Sequence, residues 1–332
     1  MPKERILYID RLRGVNILLV VMGHVITNNV IDSSSNSLLV WGSTFRMPLF
    51  MFLCGYVAFK IITPKIFENY LNFIGKKART LLLPFLAWPF LVEPFFFSDI
   101  TAVDFKTILV DIISGGGLWF LWYLFWITLI YSFWLYITSK ATLVPRSYGD
   151  MLMFIGVVTI LLGIWTYFKN PAFKQFIFYL CFYFFGVFTA KYKYVSSLLL
   201  KPSSFTVGIL VFVLLVDRYQ YGASFPLNTA IRLVCAFSGI AIFYFAIRKL
   251  KFSEKVDEYI RGWGVKSLAI YVTHSYTVSI IGYPFISNSF NTFYMFLISG
   301  GITIIATLFC VAIFKLLSQS KILGLLLYGN KL

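Results

Sequence analysis

Apolar runs of about twenty residues recur along the whole of this 332-residue chain. A helix of that length rises about 30 Å and matches the hydrocarbon core of a bilayer. Ten such runs fall at 12–31, 38–62, 80–98, 117–138, 151–168, 175–190, 203–217, 226–247, 265–283 and 293–316. Hydrophobic residues make up 59% of the chain and charged ones 13%, and the mean hydropathy is +0.82. A soluble domain carries about twice that charged fraction. The sequence therefore predicts an all-α polytopic integral membrane protein with about ten transmembrane helices. It reads as one transmembrane domain over 1–332, with no cleavable signal peptide and no appended soluble domain.

The formal net charge of +16 points to orientation rather than to nucleic acid, because the charges fall between the apolar runs and form no basic domain. One side receives Lys3, Arg5, Arg11 and Arg13, then Lys60, Lys65, Lys76, Lys77 and Arg79. It also receives Lys140, Arg146, Lys191, Lys193, Lys201 and the stretch from Arg248 to Lys266. The other side receives Lys106, Lys169, Lys174 and Arg218. The asymmetry predicts that both termini are cytoplasmic. The segment 99–116, with Asp99, Asp104 and Asp111, is expected along the outer interface, and the proline-rich stretch "LLLPFLAWPFLVEPFFF" is expected to be kinked or broken. Cys54, Cys181, Cys235 and Cys310 lie in apolar stretches without CxxC spacing and read as packing residues. His24 and His274 have no carboxylate or thiolate cluster beside them in sequence, so no metal site is expected.

Charge at membrane depth is costly, which makes each ionisable residue in a span a candidate site residue. His24 lies eleven residues beyond Arg13. At 100° per residue that is three turns and about 20°, so both side chains share one helix face, about 16 Å apart along the axis. This places Arg13 at the cytoplasmic interface and His24 near the midplane. Asp10 shares the face and is expected to pair with Arg13 three residues on. Arg46, His274, Arg232 and Glu93 are the further ionisable groups at span depth. If they converge they form a polar cavity. Taken singly, His274 also suits a carbonyl on a neighbouring helix, and Arg46 a structural ion pair. Gly14, Gly23 and Gly55 read as helix-packing residues, and Trp119 with its neighbours as an interface belt.

The stretch "YIDRLRGVNILLVVMGH" resembles the opening of the membrane-bound acyltransferase-3 family, whose signature is Arg, ten residues, His. Arg13 and His24 fall on it, with Asp10 and Gly14 in register. "FRMPLFMFLCGY", "KKARTLLLPF", "GLWFLWYL" and "SLAIYVTH" resemble four later blocks, in family order. Lys76 stands where the basic block often has Arg, Cys54 where Ser is usual, and Gly117 where His often precedes "LWFL".

The resemblance implies an O-acetyltransferase that moves an acetyl group from acetyl-CoA to a hydroxyl of a cell-surface polysaccharide or its lipid-linked precursor, such as O-antigen, in a bacterial inner membrane. Arg13 and His24 are then the catalytic candidates, with His24 as general base or transient acetyl carrier. Arg13, Lys76 and Arg79 are the candidates for the donor phosphates. Arg46, His274, Glu93 and Trp119 are the candidates on the acceptor side, and Asp10 supports Arg13. The sequence leaves open direct transfer or an acetyl-His intermediate, and the side from which the acceptor enters. A transporter or exporter of a glycan could use the same polar layer, although inverted repeats are not evident.

Overall fold

The structure is a computed structural model and describes residues 6–62, 70–92, 117–140, 149–169, 171–223 and 225–331. Its helices are α1 (Leu7–Asn29), α2 (Ser37–Ile61), α3 (Tyr70–Lys77), α4 (Leu83–Ala87), α5 (Trp119–Lys140), α6 (Gly149–Phe168) and α7 (Pro171–Lys191). Then follow α8 (Lys193–Leu199), α9 (Pro202–Val216), α10 (Pro226–Lys249), α11 (Glu254–Val265), α12 (Ser267–Ile281), α13 (Thr292–Leu317) and α14 (Lys321–Tyr328). Among the described residues the extended pairing amounts to one isolated bridge, Val30 with Ile286. The fold is all-helical among the described residues, and its long apolar helices make the chain a membrane protein.

Each of the ten expected spans contains helix, but they differ in what could cross a bilayer. Among the described residues six helices are long and apolar enough: Ser37–Ile61, Trp119–Ile137, Gly149–Phe168, Phe173–Lys191, Pro226–Lys249 and Thr292–Leu317. A seventh joins them if α8 and α9, bent by 63°, are taken as one span. The others fall short for visible reasons. Arg13, Asn16 and His24 interrupt the apolar run of α1. With 15 residues, α12 rises only about 22 Å. The proline-rich stretch is broken as expected: α4 is flanked by π-helical turns at Ala78–Leu82 and Trp88–Val92, next to Pro84 and Pro89, which offer no N–H to a helical ladder.

The chain forms two compact units, Met1–Leu53 with Tyr192–Leu317, and Cys54–Lys191 with Ser318–Leu332. In the first, α1 packs against α10, α11, α12 and α13. Lipid tails are as apolar as Leu, so helices inside a membrane associate through close packing and polar contacts rather than through the hydrophobic effect. The α1–α11 crossing shows the first device. A Cβ on Gly14 would stand 1.9 Å from the Ile260 carbonyl oxygen, and one on Gly264 would stand 1.9 Å from that of Asp10. Only glycine at both positions lets the two backbones meet. Helices α12 and α13 show the second, the buried Thr277 Oγ1 and Cys310 Sγ lying 3.1 Å apart between them.

The Asn29 end of α1 is tied to the segment that joins α12 to α13. Phe285 N and Ile286 N donate to the Asn29 carbonyl at 3.1 and 2.9 Å, and Ile31 N donates to the Ile286 carbonyl at 3.0 Å. Asn36 Nδ2 donates to Asn288 Oδ1 at 2.8 Å, while the Asn36 Oδ1 caps α2 by accepting from Leu38 N and Leu39 N. Ile26, Val30, Leu39, Ile286 and Met295 form an apolar cluster under these contacts.

The second unit holds the end of α2 with α3–α7 and α14. Gly55 admits the Tyr183 carbonyl of α7, which a Cβ would meet at 1.9 Å. Helix α14 docks on α4 through the Trp88 indole N–H, which donates to the Leu327 carbonyl at 2.8 Å. Gly329 ends α14 at φ +66°, where an L side chain is strained and where a Cβ would stand 2.5 Å from the Arg79 carbonyl oxygen. Lys191 and Asp150 pair at 2.7 Å.

Candidate active site

Helix α1 carries both Arg13 and His24, each half-buried. His24 stands five residues before the Asn29 end of the helix, about 7.5 Å along the axis. The expected Asp10–Arg13 ion pair does not form. Arg13 makes no ion pair or hydrogen bond with the described residues. The carboxylate that does meet this end of α1 is Asp257 of α11, and it takes Arg11. Arg11 Nε donates to Asp257 Oδ1, its Nη2 donates to Oδ2 at 3.1 Å, and Arg261 Nε donates to Oδ2 at 2.8 Å. The pairing follows from the glycine crossing, which brings α11 against the Arg11 side of α1. The Arg11 hydrogen bond holds the Asp257 carboxyl below the usual carboxylate range.

At the other end of α1 three expected residues converge. The rings of His24 and His274 lie 4.7 Å apart, centre to centre, and cross edge to face at 73°. His274 belongs to α12 and is buried, with 2% of its surface exposed. Its Nδ1 lies 2.5 Å from the Tyr271 carbonyl oxygen, and its Nε2 has no hydrogen-bond partner among the described residues. Arg46 of α2 interacts electrostatically with both imidazoles. Its guanidinium rests on Gly23, where a Cβ would stand 1.5 Å from Nη1, 2.3 Å from Cζ and 2.9 Å from Nη2. The glycine before His24 is thus the seat of a cation, whereas the sequence suggested only helix packing. Asn16, fully buried two turns earlier on α1, fixes the backbone at Arg46 by donating from Nδ2 to the Arg46 carbonyl at 2.8 Å.

The arrangement sets two imidazoles beside a guanidinium. An imidazole takes up a proton or attacks a carbonyl, and a guanidinium beside it stabilises an oxyanion. The remaining expected residues are placed each within its own unit. Arg232 sits half-buried in the second turn of α10, in the first unit. Lys76, exposed at the end of α3, and Arg79, half-buried in the π turn that follows, belong to the second unit. Trp119 opens α5 in that unit as part of an aromatic cluster, its ring 4.8 Å from that of Tyr179 and 5.6 Å from that of Tyr123. Glu93, like Asp99, Asp104 and Asp111, lies outside the described residues.

Sequence reasoning missed Asn16, Tyr271, Asp257 and the role of Gly23. A polar Asn in the phase of a site-bearing span was the one local signal available. Asp257 is 246 residues from Arg11, and no local pattern links them.

A family model described as an acyltransferase domain matches residues 6–315. The nodulation protein NolL of Sinorhizobium fredii (strain NBRC 101917 / NGR234) is 34% identical over 128 residues, which cover 34% of this chain and 32% of that protein. The chain thus matches about a third of that relative's length. No solved structure matches. With a family match over nearly its whole length, the chain belongs to the acyltransferase-domain family.

Proposed function

We propose that this protein is an O-acyltransferase that moves an acetyl group from acetyl-CoA to a hydroxyl of a cell-surface glycan or its lipid-linked precursor, in a bacterial inner membrane. On this reading all ten helical segments are embedded, with both termini cytoplasmic, as the Lys and Arg distribution favours. The observation that carries the proposal is the cluster at the Asn29 end of α1, where His24, His274 and the Gly23-seated Arg46 guanidinium meet.

His24 acts as the base. It takes the proton from the acceptor hydroxyl as the oxygen attacks the thioester carbonyl, and the C–O bond forms. Arg46 stabilises the oxyanion of the tetrahedral intermediate. The C–S bond then breaks, and the proton passes from His24 to the departing CoA thiolate. In the alternative route the basic His24 nitrogen attacks the thioester carbonyl and the C–S bond breaks, giving acetyl-His24 and CoA thiolate. The acceptor oxygen then attacks the acetyl carbon, the C–N bond to His24 breaks, and the hydroxyl proton passes to the CoA thiolate. Arg13, on the same face three turns away, binds a donor phosphate. The assignment of Lys76 and Arg79 to the donor and of Trp119 to the acceptor rests on the sequence blocks, and that of Glu93 on its depth in an apolar run.

The test is to incubate the purified protein in lipid nanodiscs with radiolabelled acetyl-CoA and a glycan extract from the producing cells. Label reaching the glycan with the wild type, and failing to do so with His24→Ala, supports the reading. Movement of glycan into vesicles without release of CoA would favour an exporter instead.

A further inference from the structure

We propose that His274 is a positioning residue for His24: its Nε2 lone pair accepts the ring N–H of His24 and fixes the tautomer whose opposite nitrogen serves as the base. The inference rests on the reading of His24 as the base. Three observations carry it. Nδ1 of His274 lies 2.5 Å from the Tyr271 carbonyl oxygen, and a carbonyl can only accept, so Nδ1 carries the proton and the neutral ring presents Nε2 as an acceptor. That Nε2 is buried without a partner among the described residues, an arrangement proteins avoid unless the group has a role. The ring that His274 touches edge to face, at 4.7 Å, is that of His24, close enough for an N–H···N bond after rotation of one ring.

A neutral acceptor suits this place better than a carboxylate would. An acid at position 274 would be drawn into an ion pair with Arg46, which interacts electrostatically with both imidazoles, and would take the guanidinium away from the oxyanion. An imidazole orients His24 and leaves the cation in place. During transfer His24 gains a proton on its basic nitrogen and keeps its N–H bond to His274. No proton leaves toward His274, and the one gained passes to the CoA thiolate. The task is the one a triad carboxylate performs for its histidine, held here by a backbone carbonyl instead of by charge.

Two isosteric variants separate this role from a structural one. The amide N–H of His274→Asn stands where Nδ1–H does and keeps the Tyr271 bond while removing the Nε2 acceptor. His274→Gln places its amide oxygen at the Nε2 position and gives up the Tyr271 bond. The measurement is CoA release from acetyl-CoA with the glycan extract as acceptor. The expected result is a kcat about 100-fold down in His274→Asn and within about tenfold of wild type in His274→Gln, with KM for acetyl-CoA within about twofold in both. The reverse order, or equal loss in two folded variants, overturns the inference. A dead His24→Ala beside a fully active His274→Asn sinks this inference alone, and an active His24→Ala sinks the base assignment with it. The wild type gives a further readout that needs no variant. The chain has 2 histidines, so ¹⁵N-histidine-labelled protein carrying a histidine-free tag yields two imidazoles to assign. The inference requires Nδ1-protonated, Nε2-bare His274, and the opposite tautomer overturns it.

Discussion

Replacing Gly23 by alanine tests whether the position of the Arg46 guanidinium, rather than its mere presence, drives turnover. The added Cβ would lie 1.5 Å from Nη1 and 2.3 Å from Cζ. Ordinary carbon contacts begin near 3.5 Å, so the guanidinium must retreat by about 2 Å. The obstructed atoms are the far end of a flexible side chain, so the backbone can stay where it is. Alanine also gains about 1 kcal/mol over glycine in helix propensity, and thermal stability should hold or rise slightly. Catalysis should not hold. A displacement of 1 Å in a positioned group can cost about 100-fold, and removal of one oxyanion donor costs about 10²–10³-fold. We expect kcat for acetyl transfer in Gly23→Ala to fall about 100-fold, equivalent to about 2.7 kcal/mol of barrier. KM for acetyl-CoA should stay within about twofold, because the donor phosphates are assigned to the other end of α1. Nanodisc-reconstituted protein, CoA release and a thermal scan on the same sample suffice. A kcat within about threefold of wild type would refute the reasoning, and so would an unfolded variant.

Gly14→Ala should behave in the opposite way. Its Cβ would lie 1.9 Å from the Ile260 carbonyl oxygen, a backbone atom that cannot step aside, so about 1–3 kcal/mol of stability should be lost and seen as a lower melting temperature. Arg13→Ala should raise KM for acetyl-CoA about tenfold or more with kcat little changed, measured by initial rates over a donor series. Asp257→Asn removes the clamp between α1 and α11. The Asp257 carboxyl is held below its ordinary value of 3.8, so its contribution is fully present above that value and is lost as pH falls through the lower folded value. Wild type should therefore lose its melting-temperature advantage over Asp257→Asn, worth about 1 kcal/mol or less, only in strongly acidic buffer. An advantage that persisted through that range would count against the clamp.

Those features legible in the sequence were periodic or local. The in-phase placement of Arg13 and His24 needed only the helical repeat, and the interruption at Pro84 and Pro89 only the missing amide protons. That Arg46 and His274 sit inside helices could be read from their apolar runs. Their convergence on His24 could not, because it depends on how α2 and α12 turn about α1, and no spacing encodes rotation between helices. The same blindness explains the misassigned partner at the start of α1. Asp10 is one turn from Arg13 and seemed its natural mate, yet the glycines of α1 and α11 bring Asp257 to Arg11 instead. Gly23 shows a subtler limit. A small residue in a span reads as helix contact, and only coordinates reveal that the space it leaves is filled by a charged group.

The central claim is that one helix separates donor binding from chemistry, with Arg13 serving the first and His24 the second. Equilibrium binding of acetyl-CoA to folded His24→Ala, set beside its turnover, tests this most directly. The account predicts donor affinity within about twofold of wild type with turnover abolished. Lost donor affinity in a folded His24 variant, or turnover that survives, would contradict it.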